Sequence, residues 1–488
     1  MGADHPETAT SLNNLALLMK AKGDYEGAEP LFRRALEIRE KVLGADHSDT
    51  ATSLNNLAGL LQDKGDYEGA EPLFRRALEI REKVLGADHP STATCLNNLA
   101  GLLQDKGDYE GAEPLYRRAL EISEKVFGAD NPSTMISLGN LAGLMKSKGD
   151  YDGAELLYLR ALEISEKVLG ADHPSTATSL NNLAGLLQDK GNYEGAEPLF
   201  RQALEIREKV LGADHPETAT SLNDLAGLLR SKGNYDGAEL LYLRALEISE
   251  KILGADHPDM ATFLNNLAGL LQDKGDYEGA EPLYRQALEI REKVLGADHP
   301  ETATSLNNLA LLLHYKGDYE GAEPLFRQAL EIREKILGAD HPSTAAFLNN
   351  LAGLLQDKGN YEGAEPLFRQ ALEIREKVLG ADHPDTAMSL NNLAALLQAK
   401  GDYDGAEFMY LRALEISEKI LGADHPHTAT SLNNLAVLFY YKEDYHAAVR
   451  LFQSALGIRE NLLGAEHPNT ITTRNNLEFL MKKMESET

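Results

Sequence analysis

Along almost the whole chain, apolar residues recur at three- and four-residue spacing, the period of an α-helix with one buried face. In the first stretch Leu12, Leu15, Leu18 and Met19 form one stripe, and Ala28, Leu31, Phe32, Ala35, Leu36, Val42 and Leu43 form a second. The polar run KGDYEGAE separates them: Gly23 suits a helix C-terminus and Asp24 can cap the next helix. Asp24, Glu26 and Glu29 place negative charge at that helix's positive end. Upstream, Pro6 at an opening helical position gives up only an amide that has no intrahelical partner. His5 is therefore the expected N-cap, with Asp4 adding a favourable charge. The pattern predicts helix A at about 6–22 and helix B at about 25–43, repeated throughout.

Glycines mark the repeat. Gly2, Gly44, Gly86 and their successors to Gly464 fall every 42 residues, without one insertion or deletion. A lone helix pair cannot bury both stripes, so each copy must stack on its neighbours in one fixed register. The expected architecture is an all-α solenoid occupying 1–488 as a single array. It has about eleven full repeats (3–464) and a C-terminal capping helix (465–488). In that last helix Arg474 replaces the patterned leucine and Glu478 the alanine, which suits an uncovered face. At the other end Leu12, Leu15 and Leu18 are interior residues with no preceding helix, so self-association there, or a larger parent chain, is expected. Seven copies carry proline inside helix B (Pro30, Pro72, Pro114, Pro198, Pro282, Pro324, Pro366), where a kink is expected. Leu156, Leu240 and Phe408 replace it in a second sub-type, a difference that either alters curvature or is neutral drift.

The skeleton Leu12-x2-Leu15-Ala16-x2-Met19 followed by Ala28-x3-Phe32-x2-Ala35 resembles the tetratricopeptide repeat. With its HPxTATSLNNLA and ALEIREKVLG segments, the long unit is similar to the tandem repeats of kinesin light chains. This resemblance implies a right-handed superhelix with helix A lining the concave face. On that face it places the residues equivalent to Thr10, Asn13, Asn14, Leu17, Lys20 and Ala21.

Charge and composition narrow the function. Lys plus Arg number 48 against 77 Asp plus Glu, a formal charge of -29, so no basic stripe is available for nucleic acid or an anionic membrane. The acid excess is either a solubility device or a bias toward basic partners. No apolar run reaches the ~18 residues of a membrane span, and Met1–Thr10 has no secretion-signal pattern. One cysteine, Cys95, stands where most copies have Ser or Thr and reads as drift; a reducing, cytoplasmic location is the simplest fit. Eleven of the fourteen histidines share one phase, His5 to His467, with Asn131 in the remaining copy. Helix layers ~9–10 Å apart cannot bring that row within the ~2 Å of a shared zinc. DKGDYEG at 63–69 has the wrong acid spacing for a calcium loop, and Phe74 stands where its last ligand belongs. No cofactor, metal or catalytic constellation is expected, because regular repetition makes a surface rather than a unique pocket.

What remains is an asparagine ladder. The first asparagine of the pair recurs as Asn13, Asn55, Asn97, Asn181, Asn223, Asn265, Asn307, Asn349, Asn391 and Asn433. An amide carries donors and an acceptor together, so it can pair with any peptide backbone. By resemblance to kinesin light chains the first asparagine is assigned to ligand contact, and the second to a tie between helices. Lys146, Arg230, His314, Tyr315, Tyr440 and Tyr441 break the monotony of the expected inner face and are candidates for selectivity. Asp63, Asp105, Asp189, Asp273 and Asp357 on that face favour a neutral or basic ligand. The leading expectation is a non-catalytic scaffold binding an extended peptide or partner protein. The alternative is a sensor or assembly segment of a larger signalling protein with a nucleotide-binding or protease domain.

Overall fold

The computed structural model describes residues 4–487, so Gly2 and Ala3, where the first repeat opens, lie outside the described residues. Among those described there are 23 helices and no strands. Helix A of the first copy is α1 (Pro6–Ala21) and helix B is α2 (Tyr25–Leu43). Later A helices include α3 (Ser48–Asp63), α5 (Pro90–Asp105), α7 (Pro132–Ser147), α9 (Pro174–Asp189) and α11 (Pro216–Ser231). They continue through α13 (Pro258–Asp273), α15 (Pro300–Tyr315), α17 (Pro342–Asp357), α21 (Pro426–Tyr441) and α23 (Pro468–Glu487).

The caps explain the boundaries. His5 Nδ1 accepts from the Glu7 amide at 3.2 Å, and Asn131 does the same job with Oδ1 toward Ser133 at 2.9 Å. Asp24 Oδ1 accepts from the Gly27 amide at 2.9 Å, opening α2. In the DKGDYEG segment Asp66 makes the same capping bond to Gly69 at 2.9 Å. Gly23 turns the chain at φ +78°, a left-handed value that glycine adopts without strain. Helix B runs unbroken through its proline: Pro30 stays within α2, on the exposed side.

Packing follows the two stripes. Ala16 and Ala28 are fully buried, which lets the two helices of a pair approach closely, and Phe32, Leu57 and Leu60 fill the space to the next pair. Helix B also reaches forward: the buried Arg291 donates to the Glu301 carbonyl at 2.9 Å and to Ser305 Oγ at 3.0 Å. No described helix packs over this face of α1, and Leu15 and Leu18 are 48% and 53% exposed, against 1% and 0% for their equivalents Leu57 and Leu60. In α23, Glu478 is exposed and Arg474 pairs with Glu460 at 2.8 Å.

The stack is a right-handed α-solenoid, and it winds back onto itself. A Cβ on Gly65 would lie 2.8 Å from Pro300 Cδ, and one on Gly191 would lie 2.9 Å from Pro426 Cδ. Such contacts, 235 residues apart, join the loop after helix A in one turn to the start of helix A in the next. One superhelical turn therefore takes between five and six repeats, and the array completes two touching turns.

Candidate groove

The six positions assigned to the inner face converge. Thr178, Asn181, Asn182, Gly185, Gln188 and Asp189 of α9 line one cavity of about 1110 Å³. Their counterparts Thr220, Asn223, Asp224, Gly227, Arg230 and Ser231 of α11 line it too. Asn266 and Asp273 of α13 and Lys146 of α7 extend the wall, and His427, Arg459 and His467 of the second turn close one side. Helical periodicity puts these positions on one stripe, and stacking in register turns the stripes into a continuous polar wall.

The amides hold the layers together. Asn56 Nδ2 donates to Asn13 Oδ1 at 2.9 Å, Asn98 to Asn55 at 3.0 Å, Asn266 to Asn223 at 2.8 Å and Asn350 to Asn307 at 3.0 Å. Elsewhere the first asparagine is the donor: Asn97 to Ser137 (3.4 Å), Asn181 to Asp224 (3.0 Å), Asn265 to Ser305 (3.1 Å), Asn349 to Ser389 (3.1 Å) and Asn391 to Ser431 (2.9 Å). Asn433 accepts from Thr473 at 3.3 Å. The second asparagine makes the expected tie in four copies, and the first, assigned to ligand contact, takes part in a tie at all ten positions. Asn13, Asn265, Asn307 and Asn349 are buried by it. The second asparagine is the more accessible in the pairs opening at Asn13, Asn181, Asn265, Asn307 and Asn349, and Asn182 is exposed in the cavity.

The candidate selectivity residues have partners one layer on. Lys146 Nζ lies 2.6 Å from Asp189, Arg230 Nε 2.6 Å from Asp273, and His314 Nε2 2.8 Å from Asp357. Lys20 meets Asp63 in the same way at 2.8 Å. Asp105 receives only the Gln62 amide, at 2.6 Å, and burial pushes its carboxyl above the usual range. Tyr315 is exposed and stacks on His314, ring centres 5.9 Å apart. Tyr440 sits among Tyr441, Tyr445 and Phe479 with Lys483 over its ring, while Tyr441 is half exposed and stacks on Tyr403. These two lie at the C-terminal end of α21 and do not line the cavity, which α21 meets through Pro426, His427 and Thr430. The pairing of a cation in one copy with the aspartate of the next was present in the sequence, as a fixed offset of 43 residues between Lys146 and Asp189. The closure by the second turn had no such signal.

Cys95 is buried, and burial pushes its thiol above the ordinary value, so it is a packing residue. Among the described residues no helix is long and apolar enough to cross a membrane.

Stacked helical hairpins of one length, capped alike and tied layer to layer, define the class: an α-solenoid of tandem repeats. Tetratricopeptide repeat models match residues 8–49 and, in overlapping stretches, 49 to 461. The chain belongs to the tetratricopeptide repeat family. No curated protein matches it. Among solved structures it is similar to a protein described as a Podosopora anserina kinesin light chain with nearly identical TPR-like repeats. That match has 29% identity and a TM-score of 0.36, covering 42% of this chain and 97% of that one. It is also similar to BtubC (BKLC) from P. vanneervenii, with 24% identity and a TM-score of 0.40 over 47% of this chain and 92% of that one. A Rap protein complexed with Competence and Sporulation Factor matches at 16% identity and a TM-score of 0.49, over 85% of this chain and 99% of that one.

Proposed function

We propose that the chain is a non-catalytic scaffold that grips an extended peptide, or an extended segment of a partner protein, along the helix A groove. Membership in the repeat family supports the scaffold reading, and the single observation behind the groove is the convergence of α9 and α11 on one amide-lined cavity. Side-chain amides there can pair with backbone groups whatever the ligand's sequence. A neutral or basic ligand fits, because Lys146 and Arg230 already face Asp189 and Asp273, and Asp105 has no cation of its own.

Asn265 and Asn307 sit between layers, so their removal acts on stability as well as on binding. Asn182→Ala, at an exposed amide lining the cavity, is the sharper test. After a peptide-array screen has supplied a binder, calorimetric titration of this variant should show about fivefold weaker affinity, the loss of one hydrogen bond of about 1 kcal/mol. Unchanged affinity, with helix content intact, overturns the groove.

The uncovered face of α1 supports a second role, self-association through Leu15 and Leu18. The same face would also receive an adjoining helix if the array serves inside a larger signalling protein. Sedimentation velocity on Leu15→Lys with Leu18→Lys should show a concentration-dependent species disappear. An unchanged profile removes this role.

A further inference from the structure

We propose that the capping histidines of the second turn form a latch that closes the groove sideways, so that a bound chain enters laterally only when the two turns part. The proposal rests on the groove reading above for what enters, but the latch itself is a property of the coil and is tested without a ligand.

One residue type does two jobs here. In the first turn His5 and His47 are exposed and only cap their helices. In the second turn His299, His341 and His425 are buried, 9%, 8% and 5% exposed. Each still caps, accepting through Nδ1 from the amide two residues on at 3.0 Å. Each also places Nε2 on a carbonyl of the turn below: Asp63 at 3.0 Å, Asp105 at 3.1 Å and Asp189 at 3.1 Å. Those residues end α3, α5 and α9, where carbonyls lack an intrahelical partner. His383 is packed against Gly149, with its buried Nε2 beside the Ser147 backbone. The copy that replaces the histidine, with Asn131, lies in the first turn, where its helix start sits on no lower turn.

The loop glycines tell the same story. At Gly65, Gly107 and Gly191 a Cβ would crowd the proline or histidine above, whereas at Gly317, Gly359 and Gly401 it would meet nothing within 4 Å. In the second turn the equivalent of these glycines is once Glu443, held at φ 62°. A side chain fits the open space found over the equivalent second-turn glycines.

With Nδ1 accepting and Nε2–H donating, the ring must be neutral. A second proton would set N–H against N–H at a helix's positive end. Burial accordingly pushes His341 and His425 down to about 4, and His299 and His383 below their usual value. Charged neighbours act in both directions: Glu301, Arg291 and Arg333 around His299, Arg333 at His341, Asp385 and Arg375 at His383, and His427 against His425. The carboxylates of Asp63 and Asp189 turn away to Lys20 and Lys146, and that of Asp105 to Gln62.

The test is small-angle scattering of the whole chain. His299→Asn, His341→Asn, His383→Asn and His425→Asn together keep the caps, as Asn131 does, and remove the bonds between turns. At pH 7 this variant should show a longer maximal dimension than the parent with the same helix content, while His5→Asn, His47→Asn, His89→Asn and His173→Asn leave the profile unchanged. Lowering the pH from 7 to 5.5, above the isoelectric point of 4.9, should lengthen the parent but not the latch variant. If the latch variant loses helix, Gly107→Ala with Gly191→Ala replaces it, compared with Gly317→Ala and Gly359→Ala. Both pairs strain the same left-handed backbone, and only the first crowds the seam. Coincident profiles for parent and latch variant, or for the two glycine pairs, overturn the latch. An expanded coil whose parent binds no peptide leaves the latch standing and removes the groove. Peptide binding by a coil that does not open leaves the groove standing and removes the latch.

Discussion

Glu443 is the one non-glycine residue with positive φ among the described residues, at 62°, in a position that other copies give to glycine. A Cβ in that region costs about 1–2 kcal/mol, partly offset by the extra freedom glycine gains on unfolding. Glu443→Gly should therefore stabilise the last pair by about 0.5–1 kcal/mol, read as a higher urea midpoint. At the other cap, Asp66→Ala removes the side chain that accepts the Gly69 amide and should cost about 1 kcal/mol. Asp66→Asn should be nearly silent, since Asn192 and Asn234 already fill that role. Both effects were legible in the sequence, because caps and left-handed turns depend on residues within one helical turn of each other.

At the scale of the helix, proline within helix B is the main local conflict. Pro324 lies in α16 (Tyr319–Leu337), and the helix continues through it without the amide it lacks. The position faces solvent, as the 70% exposure of Leu156 at the same place in a sister copy shows. Pro324→Ala restores one hydrogen bond and should raise the stability of that pair, by at most about 3 kcal/mol. A lower unfolding midpoint would mean that the proline shapes curvature instead. The ion pairs decorating these helices, such as Lys64 with Glu26 and Glu29, recur in nearly every copy at separations of 35 and 38 residues. Being partly exposed, each contributes about 0–1 kcal/mol, and they serve register more than strength.

For the whole molecule, the seam alters how an array behaves. Repeats that touch only their neighbours unfold in sequence from the ends. Contacts between Gly65 and Pro300, or His341 and Asp105, couple the first turn to the second. The latch variant should therefore unfold over a broader urea range than the parent, with end repeats losing hydrogen-exchange protection first. Acid acts in two stages. The buried histidines have folded-state values below the unfolded 6.5, so the unfolded chain binds more protons between about 4 and 6.5, and stability falls as pH drops through that window. Glutamates such as Glu71, which Lys106 holds below the usual carboxylate range, withdraw their contribution only at lower pH. A urea titration series should show the first loss begin near pH 6.5 in the parent and shrink in the latch variant, which keeps His427 and His467, both also held below their usual value by burial.

The amino-acid sequence by itself determined the helix pairs, their caps, the 42-residue register and the polar stripe on helix A, because each arises from contacts within one repeat or between adjacent ones. It did not decide which amide ties the layers: resemblance assigns the tie to the second asparagine, but the first takes part as well, since both lie on the same face and only side-chain direction separates them. The tertiary structure alone decided that the coil closes. His47 and His299 stand in nearly the same local sequence, yet one is exposed and the other buried against a carbonyl 236 residues away. The difference comes from a small rotation added at each repeat until the second turn meets the first, a sum that no single copy contains.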